Sequence, residues 1–259
     1  MTLFLSERSL WVLAIIIVVL PTIAAAWGLV RVRSWIGLER LTTNNEVAGF
    51  KFAVVGVIYA VLLAFVVVVV WQRYSDAEVA VTQEAGATAT LFRLLAGPEP
   101  EAADARAALS TYLRSAISRD WPLMARAKES PVVTAELSTV YAAAARLAQR
   151  ASRPPAVLSE IFYQLDLVTQ ARRNRLHLAA GVVPIVLWRV LLVGAALTVA
   201  FTYFFGTENL RAQVLMTGML ALIVFMGLFV IIAIDHPFTG SVRVGSGPLQ
   251  QVLTDFAPG

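Results

Sequence analysis

His177 and His236 are the only imidazoles in this chain of 259 residues, and there is no cysteine. Thiol nucleophiles, disulfides, iron–sulfur clusters and thiolate-held zinc all need the missing sulfur. The two histidines are far apart, and neither lies in H-E-x-x-H or another ligand spacing, so no metal site is assigned. The phosphate cradles G-x-x-x-x-G-K-[ST] and G-x-G-x-x-G and the nucleophile elbow G-x-S-x-G do not occur. The inventory points away from an enzyme and from any bound cofactor.

What chemistry remains is that of polar groups set against apolar helices. Asn44-Asn45-Glu46 stands before an apolar run and is followed by Lys51. Such amides either cap the helix or, at the mouth of a pore, coordinate a partly dehydrated ion. Arg189, beside Trp188, lies about a turn inside another apolar run. An arginine at that depth must snorkel or find a carboxylate, and the topology below offers Asp235, so a structural ion pair between Arg189 and Asp235 is expected.

The elements holding these groups follow from composition. Hydrophobic residues are 58% of the chain, charged residues 15%, and mean hydropathy is +0.73. Soluble domains have about 45–50% apolar and about 25% charged residues, so this chain belongs in a lipid bilayer. A bilayer core needs about 20 apolar residues of helix. Four segments qualify: Leu10 to Val30, Phe52 to Trp71, about Pro184 to Phe205, and about Val214 to Ile234. The first is too long for a secretory signal core, and Arg31 and Arg33 follow it where small cleavage-site residues would stand, so it reads as a retained helix. Pro21 should kink it.

Residues 72–183 carry 13 basic and 11 acidic side chains and read as a water-facing helical bundle. Breaks fall at Gly97-Pro98-Glu99-Pro100, Trp121-Pro122, Ser130-Pro131 and Ser152-Arg153-Pro154-Pro155, with Gly181 ending the last helix. The expectation is an all-α integral membrane protein of four transmembrane helices with a soluble bundle inserted between the second and third. Its parts are a first membrane pair in 1–74, the bundle in 75–181, a second pair in 182–235 and a C-terminal tail in 236–259. Four crossings put both termini and the bundle on one side. Six basic residues flank the membrane there and five opposite, a tie that leaves orientation open.

The second membrane segment is two-faced. Gly49, Ala53, Gly56, Ala60 and Ala64 form one stripe at 100° per residue, and Ile58, Leu62, Phe65 and Val69 form the opposite one. The small stripe is expected to pack within the protomer. The bulky stripe either lines an apolar constriction that gates by dewetting or meets lipid. With 21 basic and 17 acidic residues and no run of arginines, nucleic acid is not a partner.

The segment from Asn45-Glu46 to Tyr74, the triplet Asp120-Trp121-Pro122, Arg172-Arg173-x-Arg175, Trp188 and the closing Asp235-His236-Pro237-Phe238-x-Gly240 resemble a largely bacterial membrane family described as bestrophin-like. The resemblance covers nearly the whole chain, and the D-H-P-F-x-G element is its most specific part. It implies four membrane helices around a helical insertion. Through the bestrophins it further implies a homo-oligomer, pentameric in that group, conducting an inorganic anion along the second membrane helix. Termini and bundle would then be cytoplasmic, in a bacterial inner membrane. Bestrophins also carry an acidic calcium clasp and aromatic neck residues. Here there is no acidic cluster, and Phe65 is the one aromatic on the bulky stripe, so calcium gating is not expected. The alternative reading is a non-conducting membrane scaffold or sensor whose bundle binds a partner.

Overall fold

The computed structural model describes residues 10–43, 45–150 and 153–256, among which every regular element is a helix. In chain order these are α1 (Leu10–Ile36), α2 (Leu38–Thr42), α3 (Asn45–Leu94), α4 (Pro100–Ser115), α5 (Trp121–Met124), α6 (Pro131–Arg150), α7 (Pro155–Leu178), α8 (Ile185–Phe201), α9 (Leu210–Ile234) and α10 (Gly247–Asp255). The helices long and apolar enough to cross a bilayer are α1, α3, α8 (with the tight turn that extends it to Phe204) and α9. The chain divides into two compact units: Met1–Gln72 with Gly181–Asp235, and Arg73–Ala180 with His236–Gly259.

In the first unit, α1 meets Pro21 with a widened π turn over Ile15–Val19. A proline ring presses on the carbonyl four residues earlier, which here belongs to Ile17 inside that turn, so the extra residue per turn relieves the clash and the helix continues. The membrane stretch of α3 is apolar on every side, and only its burial reveals a seam. Tyr59, Val66 and Val70 are buried and Phe52, Val55 and Leu63 half-buried, one ridge at helical spacing. Tyr59 donates from its hydroxyl to the Leu191 carbonyl at 3.2 Å.

This seam corrects the expectation for the small stripe. Ala53, Ala60 and Ala64 are exposed, and Gly49 and Gly56 only half-buried. Close approach is provided from the partner helices instead. A Cβ at Gly194 of α8 would stand 2.6 Å from Tyr59 Cδ2, and one at Gly227 of α9 would stand 2.5 Å from Leu63 Cδ2. Neither glycine can gain a side chain without moving α3's ridge.

The second unit holds the soluble part of α3, then α4 to α7 and α10. Leu91 and Leu95, Leu109 and Tyr112, Val133 and Val140, and Leu165 and Val168 meet in one core. Leu249, Val252 and Phe238 fill a second cluster with Ala77 and Val81, so residues after Asp235 pack into this unit instead of trailing from it. Phe256, just past α10, stacks on Phe92 with centroids 3.6 Å apart. Trp121-Pro122 does not break the chain as its sequence suggests. A widened π turn over Ala116–Asp120 carries the helix on from α4 into α5 and makes room for Pro122 as in α1, and the direction changes after Met124 with Ala127 at φ 53°. Likewise α7 stops at Leu178, three residues before Gly181.

Candidate pore helix and a buried charge network

The seam fixes which face of α3 the subunit leaves open. At 100° per residue from Tyr59, the opposite side is Val54, Val57, Val61 and Val68, and all four are exposed. Ile58, Phe65 and Val69 stand beside them, also exposed, while Leu62 turns partly inward. The bulky stripe and the small stripe thus flank the seam on its two sides, and the outermost positions are valines that belong to neither stripe. An all-apolar helix gives no moment by which to find its packed side, so the sequence held no signal for them.

The polar residues before this helix are already engaged. Asn45, the first residue of α3, donates from Nδ2 to the Gly206 carbonyl at 2.7 Å, and its Oδ1 accepts from the Gly206 amide at 3.0 Å. This two-point bridge ties the α3 start to the α8–α9 turn, so the Asn45 amide neither caps a helix nor stands free for an ion. Glu46 is exposed, and Asn44 lies outside the described residues. Nearby, Arg33 Nη1 donates to Gln213 Oε1 at 2.6 Å, and Gln213 Nε2 donates to the Phe205 carbonyl.

The expected pairing of Arg189 with Asp235 is not found among the described residues. Arg189 is exposed, whereas Asp235 is buried and its Oδ1 accepts from the amides of Val182 and Val183 at 3.1 Å each. A carboxylate at the end of α9 satisfies donors ahead of α8, which need an acceptor more than an exposed guanidinium does. The rest of the D-H-P-F-x-G element is structural too. Phe238 is buried edge-on against Trp121, Thr239 donates to the Ala125 carbonyl, and Gly240 has φ 81°, a conformation that a side chain disfavours. His236 and Pro237 turn the chain, the His236 carbonyl accepting from Thr239 N and the Pro237 carbonyl from Val244 N.

The second unit contains a network that its sequence did not announce. Glu84, Asp120 and Arg175 are wholly buried and Arg172 nearly so. Arg175 Nε donates to Glu84 Oε2 at 2.6 Å and its Nη2 to Glu84 Oε1 at 3.1 Å, with Asp120 Oδ2 at 3.4 Å. Arg172 Nε donates to Asp120 Oδ2 at 2.9 Å. Tyr112 donates to Glu84 Oε1 at 2.6 Å, the Ser130 amide to Asp120 Oδ1 at 3.1 Å, and the Arg175 guanidinium lies 4.4 Å from the Trp121 ring. Two arginines balance two carboxylates, so no net charge is buried, and the acceptors are shared out. Burial opposes the charge on Arg175, but Glu84, by charge and hydrogen bond, overrides it and holds the guanidinium above its ordinary range. Burial, then the Glu84 charge, pushes the Tyr112 hydroxyl well above the usual tyrosine value. The signal was periodicity: Arg172 and Arg175 continue the buried ridge Ile161, Leu165, Val168, and Glu84 continues Ala77, Val81.

A family description of a bestrophin-like domain matches residues 18–249. The chain belongs to the bestrophin-like family. Solved structures agree with this bestrophin-like fold. A mutant bacterial bestrophin homologue from Klebsiella pneumoniae has a TM-score of 0.70 at 15% identity, covering 92% of this chain and 94% of its own. The homologue from the same organism phased on zinc gives 0.71 at 13%, covering 92% and 96%. A mutant of a protein described only as a membrane protein gives 0.74 at 14%, covering 94% and 97%. No curated protein matches in sequence. At these identities the structures speak for the fold alone, and the site residues of this bestrophin-like chain rest on its own geometry.

Proposed function

We propose that this chain is the subunit of a homo-oligomeric ion channel in a bacterial inner membrane, with the pore along α3. The observation that carries the reading is the open apolar face of α3: Val57, Phe65 and Val68 are 63%, 67% and 63% exposed, opposite the seam that holds the helix to its own subunit. Copies arranged about an axis would bury that face as a dry ring, centred on Val57, Val61, Phe65 and Val68 with Ile58 and Val69 at its edges. The pentamer and the cytoplasmic side of the termini are carried over from the bestrophin resemblance, and the bundle inserted between the second and third membrane helices rests on the charge and breaks of residues 72–183. The permeant species is a small inorganic anion: Arg31, Arg33, Arg40, Lys51 and Arg211 outnumber Glu39, Glu46 and Glu208 around the connections from α1 to α3 and from α8 to α9.

The test is ion flux into liposomes holding the purified protein. Flux above that of empty liposomes, raised by Phe65→Ala and selective for chloride over sodium, is expected. Flux equal to empty liposomes for both proteins would sink the channel reading in favour of a scaffold or sensor. A cysteine at position 65 that reacts with lipid-soluble but not with water-soluble reagents would assign this face to lipid.

A further inference from the structure

Within the membrane-spanning unit a trough runs between α3 on one side and α8 and α9 on the other. Its two parts, of about 440 and 270 Å³, share Phe52 and Leu220, and only taken together do they fall well inside the span of about 300–1,000 Å³ common to small-molecule sites. The α3 wall is Ala53, Gly56 and Ala60, and a Cβ added at Gly56 would meet nothing within 4 Å, so the depth there is unfilled. The facing wall is apolar apart from Thr198 of α8, with Leu220, Ile223 and Val224 of α9.

Tyr59 and Thr198 are the polar residues of the larger part, and Thr202, Thr207, Gln213 and Thr217 gather at the end near the α8–α9 turn. Gln213 and Thr217 stand one turn apart on α9, 2% and 3% exposed. The Gln213 amide is engaged by Arg33 and by the Phe205 carbonyl. The Thr217 hydroxyl, by contrast, makes no hydrogen bond with any described residue, although the side chain lines the trough. A hydroxyl that opens into an apolar channel calls for an acceptor there, since leaving it unmade is costly in hydrocarbon. Gln213 and Thr217 lie about 4 and 10 Å along α9 from its start at Leu210, around the level where lipid headgroups give way to acyl chains.

We infer that this trough holds one acyl chain of a membrane phospholipid, its ester carbonyl accepting from the Thr217 hydroxyl and its hydrocarbon lying over Gly56 and Ala60. The Tyr59 hydroxyl is spent on the Leu191 carbonyl and the Thr198 hydroxyl is buried, so the open hydroxyl of Thr217 at one end and a mainly apolar body match that amphiphile, and they do not match an apolar helix face of a second copy, which would leave Thr217 unserved. The site is independent of whether the protein conducts.

The experiment uses the full-length protein in nanodiscs containing a phosphatidylglycerol with a diazirine on one acyl chain, with adducts mapped by mass spectrometry. Adducts should concentrate on the α3 peptide around Phe52–Leu63 and the α9 peptide around Met216–Val224. Gly56→Phe, or the milder Ala53→Leu if that variant does not fold, should lower them severalfold and leave labelling around Trp11–Trp27 of α1 unchanged. An ether-linked competitor lacking the carbonyl should displace the probe less well than the ester from the native protein, and equally well from Thr217→Val. Even labelling of every lipid-facing helix, or labelling indifferent to filling the trough, overturns the proposal. So does a preference for a photoreactive free fatty acid over the phospholipid, or cross-linking of trough residues to a second copy of the chain.

Discussion

Replacing Arg175 by methionine isolates the buried network, because the side chain keeps its length and loses its charge. Glu84 then loses both guanidinium bonds and keeps one donor, the Tyr112 hydroxyl, while Asp120 keeps Arg172 and the Ser130 amide. One carboxylate is stranded with a buried net charge, which costs about 3–5 kcal/mol. With a shift of about 2–4 °C per kcal/mol for chains of this length, the melting temperature should fall by roughly 6–20 °C. Arg172→Met should cost less, because Arg175 still reaches Asp120. Adding Glu84→Gln to Arg175→Met removes the stranded charge, so the double variant should be more stable than the sum of the single losses by about 0.5–3 kcal/mol. Intrinsic tryptophan fluorescence during heating of the solubilised protein reads this out, Trp121 lying against Arg175. Strict additivity of Arg175→Met and Glu84→Gln in the double variant would refute the network, as would an Arg175→Met shift no larger than that of Arg150→Ala, an arginine 70% exposed in its pair with Glu101.

Tyr112 titrates higher in the folded protein than in the unfolded chain, so the stability it confers is whole below a pH of about 10 and is lost as pH rises through the folded value. Tyr112→Phe should remove part of that alkaline loss and cost about 1.5–3 kcal/mol at neutral pH, as the Glu84 carboxylate loses a donor; melting curves across pH check both. Asp235→Ala should destabilise by about 1.5–3 kcal/mol through the Val182 and Val183 amides while Arg189→Ala does little, and a double variant with additive effects distinguishes this from an ion pair. Gly194→Val should lower the yield of folded protein because its side chain enters the space of the Tyr59 ring, whereas Ala64→Val on the exposed side of α3 should not; size-exclusion recovery compares them. Asn45→Ala should lower the melting temperature by breaking the Gly206 bridge, yet leave the anion-to-cation flux ratio unchanged; an altered ratio would return Asn45 to the pore mouth.

The membrane helices could be read from the sequence because bilayer thickness converts directly into a length of apolar chain, and α1, α3, α8 and α9 each meet it. Rotation about those helix axes could not. In α3 small and large residues form opposite stripes, but size contrast does not say which stripe is inside, and the buried ridge through Tyr59 lies between them. The residues that decide it, Gly194 and Gly227, act by lacking a side chain and sit on other helices. In the soluble unit the ridges of α3, α4 and α7 are periodic and legible, and the buried charges are visible only when Glu84, Arg172 and Arg175 are counted as ridge positions and Asp120 as the end of the turn that follows α4. Pairing Arg189 with Asp235 failed for a related reason: topology brought the two helix ends to one side, but backbone amides nearer than the arginine compete for the same carboxylate.

The network also sets a schedule for synthesis. Glu84 and Arg175 are separated by 91 positions. At about 5–20 residues per second a ribosome delivers the second roughly 5–18 s after the first. During that interval the Glu84 carboxylate must stay hydrated, since its guanidinium partner does not yet exist, and the ridge that bears it cannot close against its neighbours. Arg175 arrives only ten residues before α8 begins, so the nascent bundle meets its last charge as the next apolar segment is about to enter the membrane.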